Sequence, residues 1–190
     1  MQEFIEDVKR AVQVMREGGI ILYPTDTIWG IGCDASNSAA VRRIFALKQR
    51  SDSKSMLSLI DSDAKLGYYV PDIPDVAYDL MDLAEKPLTI IYDNVRHMAP
   101  ELIAEDGSAG IRVTKEAFSK ELCRRLGGAV VSTSANISGQ PSAANFSEIA
   151  DVIKQGVDYV VEYRQTEQTR AVASGIIKLG SGGLVKVIRE

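Results

Sequence analysis

The chain has 190 residues, of which 45% are hydrophobic and 25% charged, a composition typical of a globular protein with one sizeable core. Its 26 acidic residues outnumber its 22 basic ones, and the net charge of −4 argues against a module built mainly for tight nucleic-acid binding. Two cysteines without paired spacing predict neither a disulfide framework nor a zinc site.

The amino-terminal stretch MQEFIEDVKRAVQVM is amphipathic and acidic, unlike a signal peptide. Apolar runs stay well short of the roughly 18 residues of a membrane span. We therefore expect a cytoplasmic protein without a membrane segment, folded as a single domain over residues 1–190.

Helical and strand patterns alternate along the chain. The first helix carries Ile5, Val8, Val12 and Met15 at helical spacing and stops at Gly18. Further helices are predicted at 37–47, 75–83, 115–126 and 146–155, and strands at 20–23, 56–60, 88–92, 109–113, 129–132, 159–163, 176–179 and 184–188. This order predicts an α/β fold with a twisted, mostly mixed sheet and flanking helices.

Residues 24–32, PTDTIWGIG, follow the first strand with two hydroxyls, an aromatic ring and two glycines. Glycine lets a backbone approach a ligand closely, and hydroxyls can orient a small polar molecule. A strand-end turn around a packed tryptophan explains the same residues.

Three cations, Lys48, Arg50 and Lys54, lie between a helix and a strand. They fit a clamp for a polyphosphate, since arginine binds phosphate oxygens through a fixed fork and lysine acts as a point charge. A solvated helix end, where cations favour the helix dipole, is the competing interpretation.

Residues 132–139, STSANISG, place several hydroxyls and an asparagine directly after a buried strand. Open α/β sheets bind ligands at such strand ends, although a polar turn is an equal alternative.

Other catalytic patterns are weak. His97 is the only histidine, in a polar stretch that predicts an exposed loop, so a nucleophile–histidine arrangement would depend on it alone. The sequence contains neither GxxxxGK[ST] nor GxGxxG, and no carboxylate pattern predicts a metal cage. Residues 180–183 indicate a hairpin turn.

Taken together, four segments resemble the YrdC-like family. PTDTIWGIG is similar to its PT(D/E)TVYGLG, KQRSDSKSMLSLI to its K-x-R segment, AGIRV to its VRxP segment, and STSANISGQPS to its (S/T)SAN-x-SG-x-PS. The order and spacing agree over nearly the whole chain, and the chain resembles the single-domain form.

The resemblance implies a twisted α/β sheet with a concave basic cavity and a synthase of threonylcarbamoyl-AMP. Its substrates would be ATP with Mg²⁺, L-threonine and bicarbonate or CO2, and the product would pass to a complex that builds N6-threonylcarbamoyladenosine in tRNA. A direct tRNA contact would be weak.

The same resemblance implies roles for individual residues. The threonine would be held by Thr27, Arg112, Ser134 and Ser174. ATP would be held by Lys48, Arg50, Lys54, Ser108, Asn136 and Arg189, with Lys48, Arg50 and Arg112 acting in catalysis.

The sequence departs from the family pattern at several positions. Ser55 and Thr114 stand where proline is usual, and Trp29 replaces a tyrosine. Gly175 and Lys178 replace a threonine and an aspartate, so that a charge is inverted near the expected site. These departures keep two alternatives open: a paralogue with another acceptor or no catalysis, and an RNA-binding module on the same fold.

Overall fold

The computed structural model describes residues 3–49, 56–169, 172–180 and 184–189. Within them, nine strands form one sheet in the order β7-β1-β2-β6-β3-β5-β4-β8-β9. The strands are β1 (Ile21–Tyr23), β2 (Gly30–Gly32), β3 (Leu57–Ile60), β4 (Leu88–Tyr92), β5 (Ala109–Val113), β6 (Val130–Ser134), β7 (Tyr159–Val160), β8 (Gly175–Leu179) and β9 (Val185–Arg189). The helices are α1 (Ile5–Arg16), α2 (Ser38–Leu47), α3 (Leu66–Tyr69), α4 (Val76–Leu83), α5 (Ala117–Leu126) and α6 (Asp151–Gly156).

The sheet is mixed, as its strand pairing shows. The pairs β1–β7, β3–β5 and β4–β8 are parallel, whereas β1–β2, β2–β6, β3–β6, β4–β5 and β8–β9 are antiparallel. Strands far apart in the chain therefore lie side by side, such as β4 and β8. The predicted α/β fold with a mixed sheet and flanking helices is confirmed.

Helix α1 shows how the apolar pattern becomes packing. Its buried residues are Val8, Ala11, Val12 and Met15, one face of a helix at the predicted spacing. This face packs near α5, and Phe4 meets Phe118 with ring centroids 5.8 Å apart. The helix covers one side of the sheet and leaves its charged face to solvent.

The helix predicted at 146–155 is wrong as one element. A short 3₁₀ helix spans Phe146–Glu148, and α6 starts only at Asp151. Asn145 Oδ1 accepts a hydrogen bond from Glu148 N, which closes a tight turn, and the buried Ile149 is extended. Burial of the Ile149 side chain thus outweighs the helical propensity of residues 146–155.

Two strand predictions also differ from the structure. The strand predicted at 159–163 ends at Val160, because Tyr163 N donates a hydrogen bond to Asp7 Oδ2 of α1 instead of a neighbouring strand. The three-residue β2 was not predicted as a strand, since two of its residues are glycine. The hairpin of β8 and β9 is antiparallel, and its predicted turn includes residues 181–183, which lie outside the described residues.

None of the helices in the described part of the chain is both long and apolar enough to cross a membrane.

Candidate active site

The loop after β1 is folded by a threonine hydroxyl. Thr25 Oγ1 accepts a hydrogen bond from Thr27 N at 3.0 Å and donates to the carbonyl of Ile28 at 2.8 Å. It also lies 3.0 Å from Thr27 Oγ1. These local bonds replace a strand ladder and hold the Thr27 side chain in one position at the end of β1.

Strand β2 needs glycine because neighbouring groups approach its backbone closely. A Cβ on Gly32 would lie 2.5 Å from the carbonyl oxygen of Val131 and 2.6 Å from the ring of Tyr23. The Tyr23 hydroxyl in turn donates to that same carbonyl at 3.1 Å. The glycines seen in the sequence therefore allow β1, β2 and β6 to pack tightly beside the site.

Arg112 of β5 is the central cation. Its side chain is only 2% exposed, and its Nη2 lies 2.8 Å from Asp26 Oδ1 and 3.5 Å from Thr27 Oγ1. Burial lowers the pKa of the Arg112 guanidinium and raises the pKa of Asp26, while each partner's charge opposes the other's shift. Arg112 Nε is buried without a hydrogen-bond partner within the described ranges.

Lys48, at the end of α2, supports the loop after β6. Its ammonium donates hydrogen bonds to the carbonyls of Ser134 and Asn136, the latter at 2.7 Å, and its own carbonyl accepts from Ser138 N at 2.9 Å. The side chain is buried. Lys48 thus shapes the backbone of the 132–139 segment, which presents Ser134.

Ser174, just before β8, is held from two sides. Its Oγ lies 3.0 Å from Thr89 Oγ1 of β4, and its carbonyl accepts a hydrogen bond from Arg189 Nε at 2.9 Å. Arg189 Nη2 lies a further 3.5 Å from Ser174 Oγ. The hydroxyl of Ser174 is therefore oriented by residues from two other strands.

These segments enclose a cavity of about 200 Å³ on one face of the sheet. Five of the predicted site residues line it together: Thr27, Arg112, Ser134, Ser174 and Arg189. The rest of its wall is formed by hydroxyls, Trp29 and small or apolar residues: Ile28, Trp29, Gly30, Met56, Leu57, Ser132, Thr133, Ser142, Ala173 and Ile176. Two guanidinium groups and many hydroxyls make this cavity suited to a small polar anion.

The other predicted residues lie elsewhere. Lys48 and Asn136 do not line the cavity. Asn136 Nδ2 donates to the carbonyl of Gln140 at 2.7 Å, and its Oδ1 is buried without a hydrogen-bond partner among the described residues. Ser108 donates to Asp106 Oδ1 at 2.6 Å and does not line the cavity. Arg50 and Lys54 fall outside the described residues.

The structure adds residues to which the sequence analysis assigned no role. Asp26 stood inside the first motif, yet nothing in the sequence marked it as the partner of Arg112. Thr89 lies in an apolar strand, and its contact with Ser174 depends on the parallel pairing of β4 and β8. A buried hydroxyl in a strand was the available signal for Thr89, and it is a weak one.

The charge inversion at Lys178 is explained by partners outside the cavity. Its Nζ lies 2.6 Å from Asp106 Oδ2 and 3.6 Å from Asp93 Oδ1. Lys178 does not line the cavity, and this side chain ties β8 to two loops. Trp29, the replacement for tyrosine, packs against Phe146 with ring centroids 4.8 Å apart and still contributes to the cavity wall.

Within the described ranges, no group of three or more His, Cys, Asp or Glu side chains is arranged to hold a metal ion.

Known proteins resemble this chain in sequence and in fold. A threonylcarbamoyl-AMP synthase of Pseudoalteromonas translucida is 32% identical over 158 residues, which are 82% of this chain and 84% of that protein. The crystal structure of P. abyssi Sua5 complexed with L-threonine has a TM-score of 0.84 at 23% identity, covering 96% of this chain and 53% of that one. E. coli YciO has a TM-score of 0.80 at 24% identity, covering 96% and 88%.

A family model matches nearly the whole chain. It is that of Sua5, YciO and YrdC, described as "Telomere recombination", and it covers residues 13–190. This chain spans only about half of the Sua5 chain, but most of the length of the synthase relative. Given that match, together with a relative above 30% identity, the chain belongs to the Sua5/YciO/YrdC family.

Proposed function

We propose that this protein is an L-threonylcarbamoyladenylate synthase. It would form threonylcarbamoyl-AMP and pyrophosphate from L-threonine, bicarbonate or CO2, and ATP. The observation that carries the proposal is the meeting of Thr27, Arg112 and Ser134 in one small cavity. Relatives named as this synthase, and the L-threonine bound by P. abyssi Sua5, support the same activity.

The reaction needs positioning more than a reactive side chain. The neutral threonine amine would add to CO2 and release a proton to solvent, which gives a carbamate. A carbamate oxygen would then attack the α-phosphorus of ATP. The bond from the α-phosphorus to the bridging oxygen would break, and pyrophosphate would leave. Since both reactants are anions, nucleotidyl transfer depends on bringing them together and offsetting their charge.

Arg112 is suited to the anionic end of the amino acid. A guanidinium can pair with a carboxylate or carbamate through two parallel bonds. Arg112 already contacts Asp26 through Nη2, and its buried Nε has no hydrogen-bond partner in the part of the chain described. A bound carboxylate would satisfy this donor, which removes the penalty of leaving it unpaired. Thr27, Ser134 and Ser174 would hold the remaining polar groups.

ATP would occupy the side of the cavity that Arg189 and Met56 line. The proposed triphosphate contacts are Arg50 and Lys54, whereas Lys48, whose ammonium bonds to the carbonyls of Ser134 and Asn136, would position the segment after β6. Asn136 and Ser108 are proposed to contact the nucleotide, and Asn136 Oδ1 is buried without a hydrogen-bond partner in the ranges that the structure describes. Mg²⁺ would arrive bound to the phosphates as part of the substrate, with several of its own waters, so that few protein carboxylates are required.

The product is a mixed anhydride of a carbamate and a phosphate, which a later enzyme complex would use to acylate the adenosine of tRNA. We propose that this transfer takes place in the cytoplasm and that any direct tRNA contact of this chain is weak, since its net charge is −4.

The test is pyrophosphate release by the purified protein with ATP, Mg²⁺ and bicarbonate, with and without L-threonine. We expect release only with threonine, and an at least tenfold loss for Arg112→Ala, since a charge-assisted pair is removed. Arg43→Ala is the matched control, because Arg43 is exposed and outside the cavity. Release that is independent of threonine would exclude the proposal.

The two alternatives predict other results. Release stimulated by serine or another acceptor, but not by threonine, would identify a paralogue of different specificity. Tight, steeply salt-dependent binding of bulk tRNA in a filter assay, without pyrophosphate release, would identify an RNA-binding module. Lys178 lies outside the cavity and pairs with Asp106, which weakens one of the two sequence arguments for altered specificity.

A further inference from the structure

A second and larger cavity, of about 380 Å³, lies where the parallel strands β3 and β5 end. Its walls come from the loop of Asp26, from residues 61–63 after β3, from α4 and residues 84–88, and from residues 113–115 after β5. In open α/β sheets, ligands bind outside the carboxyl ends of such strands. We call it the outer cavity, and none of the residues predicted to bind ATP or threonine lines it.

The outer cavity has acidic residues at its floor and charges of both signs at its rim. The buried or nearly buried polar residues in its wall are Asp26, Asp61 and Thr114, so the charges at its floor are negative. The exposed residues at its rim carry both signs: Lys86, Lys115 and Lys120, and Asp63, Asp82 and Glu85. Between floor and rim the wall is largely apolar and includes one aromatic ring: Tyr78, Met81, Ala84, Pro87, Leu88 and Val113.

Thr114 supplies an independent sign of a ligand. The residue is 1% exposed, and its hydroxyl has no hydrogen-bond partner among the residues that the structure describes. A buried hydroxyl without a partner is unfavourable and rare in native proteins, so it calls for an explanation. Its position in the wall of the outer cavity means that a ligand there could supply the missing partner.

We propose that the outer cavity binds a primary organic ammonium compound with an apolar body. An ammonium has three N–H donors, and the floor offers three acceptor groups: the hydroxyl of Thr114 and the carboxylates of Asp26 and Asp61. Each carboxylate already pairs with a cation through its Oδ1, Asp26 with Arg112 at 2.8 Å and Asp61 with Lys65 at 2.7 Å, so its Oδ2 is the oxygen proposed to accept from the ammonium. Tyr78 adds a ring face that attracts cations, and Met81 and Leu88 cover apolar atoms. A bare metal ion fits less well, since no metal-holding cluster exists within the described ranges.

The outer cavity shares an ion pair with the candidate active site. Asp26 lines the outer cavity, whereas its partner Arg112, 2.8 Å away, lines the other. An anionic substrate on Arg112 is repelled by the Asp26 carboxylate, and an ammonium beside Asp26 offsets that repulsion. Occupation of the outer cavity therefore strengthens threonine binding. This coupling rests on the proposed function, but the ammonium site itself does not.

Binding is tested without catalysis. Benzylamine, which is protonated at pH 7, is titrated into the full chain by calorimetry, beside benzyl alcohol as the neutral analogue. We expect the amine to bind at least tenfold more tightly than the alcohol, since charge-assisted bonds are lost with the charge. Equal affinities, or no binding of either probe, would overturn the proposal.

Thr114→Val is the decisive variant, because it removes the hydroxyl and keeps the shape of the side chain. We expect it to weaken benzylamine binding about fivefold while the melting temperature stays level or rises, since an unpartnered buried hydroxyl is removed. Asp79→Asn is the matched control, an exposed acid of α4 outside the cavity wall. If Thr114→Val binds benzylamine as tightly as the wild type does, the proposed contact between the ammonium and the Thr114 hydroxyl is wrong.

The coupling is measured separately, by calorimetric titration of L-threonine with and without saturating benzylamine. We expect the amine to tighten threonine binding about fivefold in the wild type, at the low end of typical allosteric couplings. If threonine binds but the amine leaves its affinity unchanged, the coupling is wrong. If the amine binds but threonine does not, the proposed function fails while the ammonium site stands.

Discussion

Thr89 of β4 links the pairing of β4 with β8 to the candidate site. Its hydroxyl lies 3.0 Å from Ser174 Oγ, and both residues are buried. We expect Thr89→Val to raise the KM for threonine about tenfold with a smaller effect on kcat, because the lost hydrogen bond orients a binding group. Thr89→Ser should restore the wild-type KM. Equal kinetics of the two variants would show that Thr89 acts only through packing.

Lys48 is a second residue whose role depends on its surroundings. Because its ammonium bonds to the carbonyls of Ser134 and Asn136, Lys48→Met leaves two acceptors without their donor. We expect a loss of about 1–3 kcal/mol in the free energy of unfolding, measured by urea denaturation. A Lys48→Met protein of wild-type stability but weaker ATP binding would assign the residue to phosphate contact instead.

At the scale of elements, α5 ends at a glycine for a conformational reason. Gly127 has a φ of +83°, and its N–H donates to the carbonyl of Cys123 at 3.0 Å. We expect Gly127→Ala to destabilise the fold by about 1–2 kcal/mol, the cost of a left-handed residue with a Cβ. The control is Gly67→Ala inside α3: neither added Cβ meets an atom within 4 Å, and only Gly127 has a positive φ. Gly67→Ala should be neutral or stabilising, and equal losses would contradict the conformational explanation.

The same helix carries a pH-dependent ion-pair cluster. Hydrogen bonds from Arg124, with a contribution from Arg125, lower the pKa of Glu121 from 4.5 to about 2. A depressed pKa contributes stability above pH 4.5 that is lost as the pH falls towards 2. We expect Glu121→Gln to be less stable than the wild type by about 0.5 kcal/mol at pH 7, with a smaller difference at pH 3 in thermal denaturation. A difference that stays constant over this range would argue against the cluster.

At the scale of the whole molecule, ligand binding and folding are linked, because the cavity exists only in the folded chain. L-Threonine at a hundred times its Kd should add about 2.7 kcal/mol to the free energy of unfolding. For a chain of this size, that corresponds to a rise of about 5–10 °C in melting temperature. Arg112→Ala should lose this rise, and Arg43→Ala should keep it. A wild-type melting temperature that does not respond to threonine would contradict the proposed binding site.

Much of the fold could be predicted from local patterns. The strands β4 and β5 have the bounds that alternation of apolar residues predicts, and the buried face of α1 carries the expected residues. The helix expected at 146–155 was wrong because Ile149 is drawn into the core, and β2 was missed because glycine carries little strand signal. Local propensity correctly predicts the secondary structure of long periodic segments. The prediction fails where burial or a close backbone contact opposes the local preference.

The sequence by itself determined the chemistry that is present: hydroxyls and glycines after β1, a guanidinium in β5, and a polar segment after β6. Only the tertiary structure decided which of these groups meet. Arg112 pairs with Asp26, Thr89 meets Ser174, and Lys48 bonds to the backbone of the segment that presents Ser134. Each contact joins residues separated by more than 80 positions, and the contact between Thr89 and Ser174 forms because β4 and β8, remote in sequence, are neighbours in the sheet. Pairing between remote strands follows from burial of the whole core, which no local segment encodes.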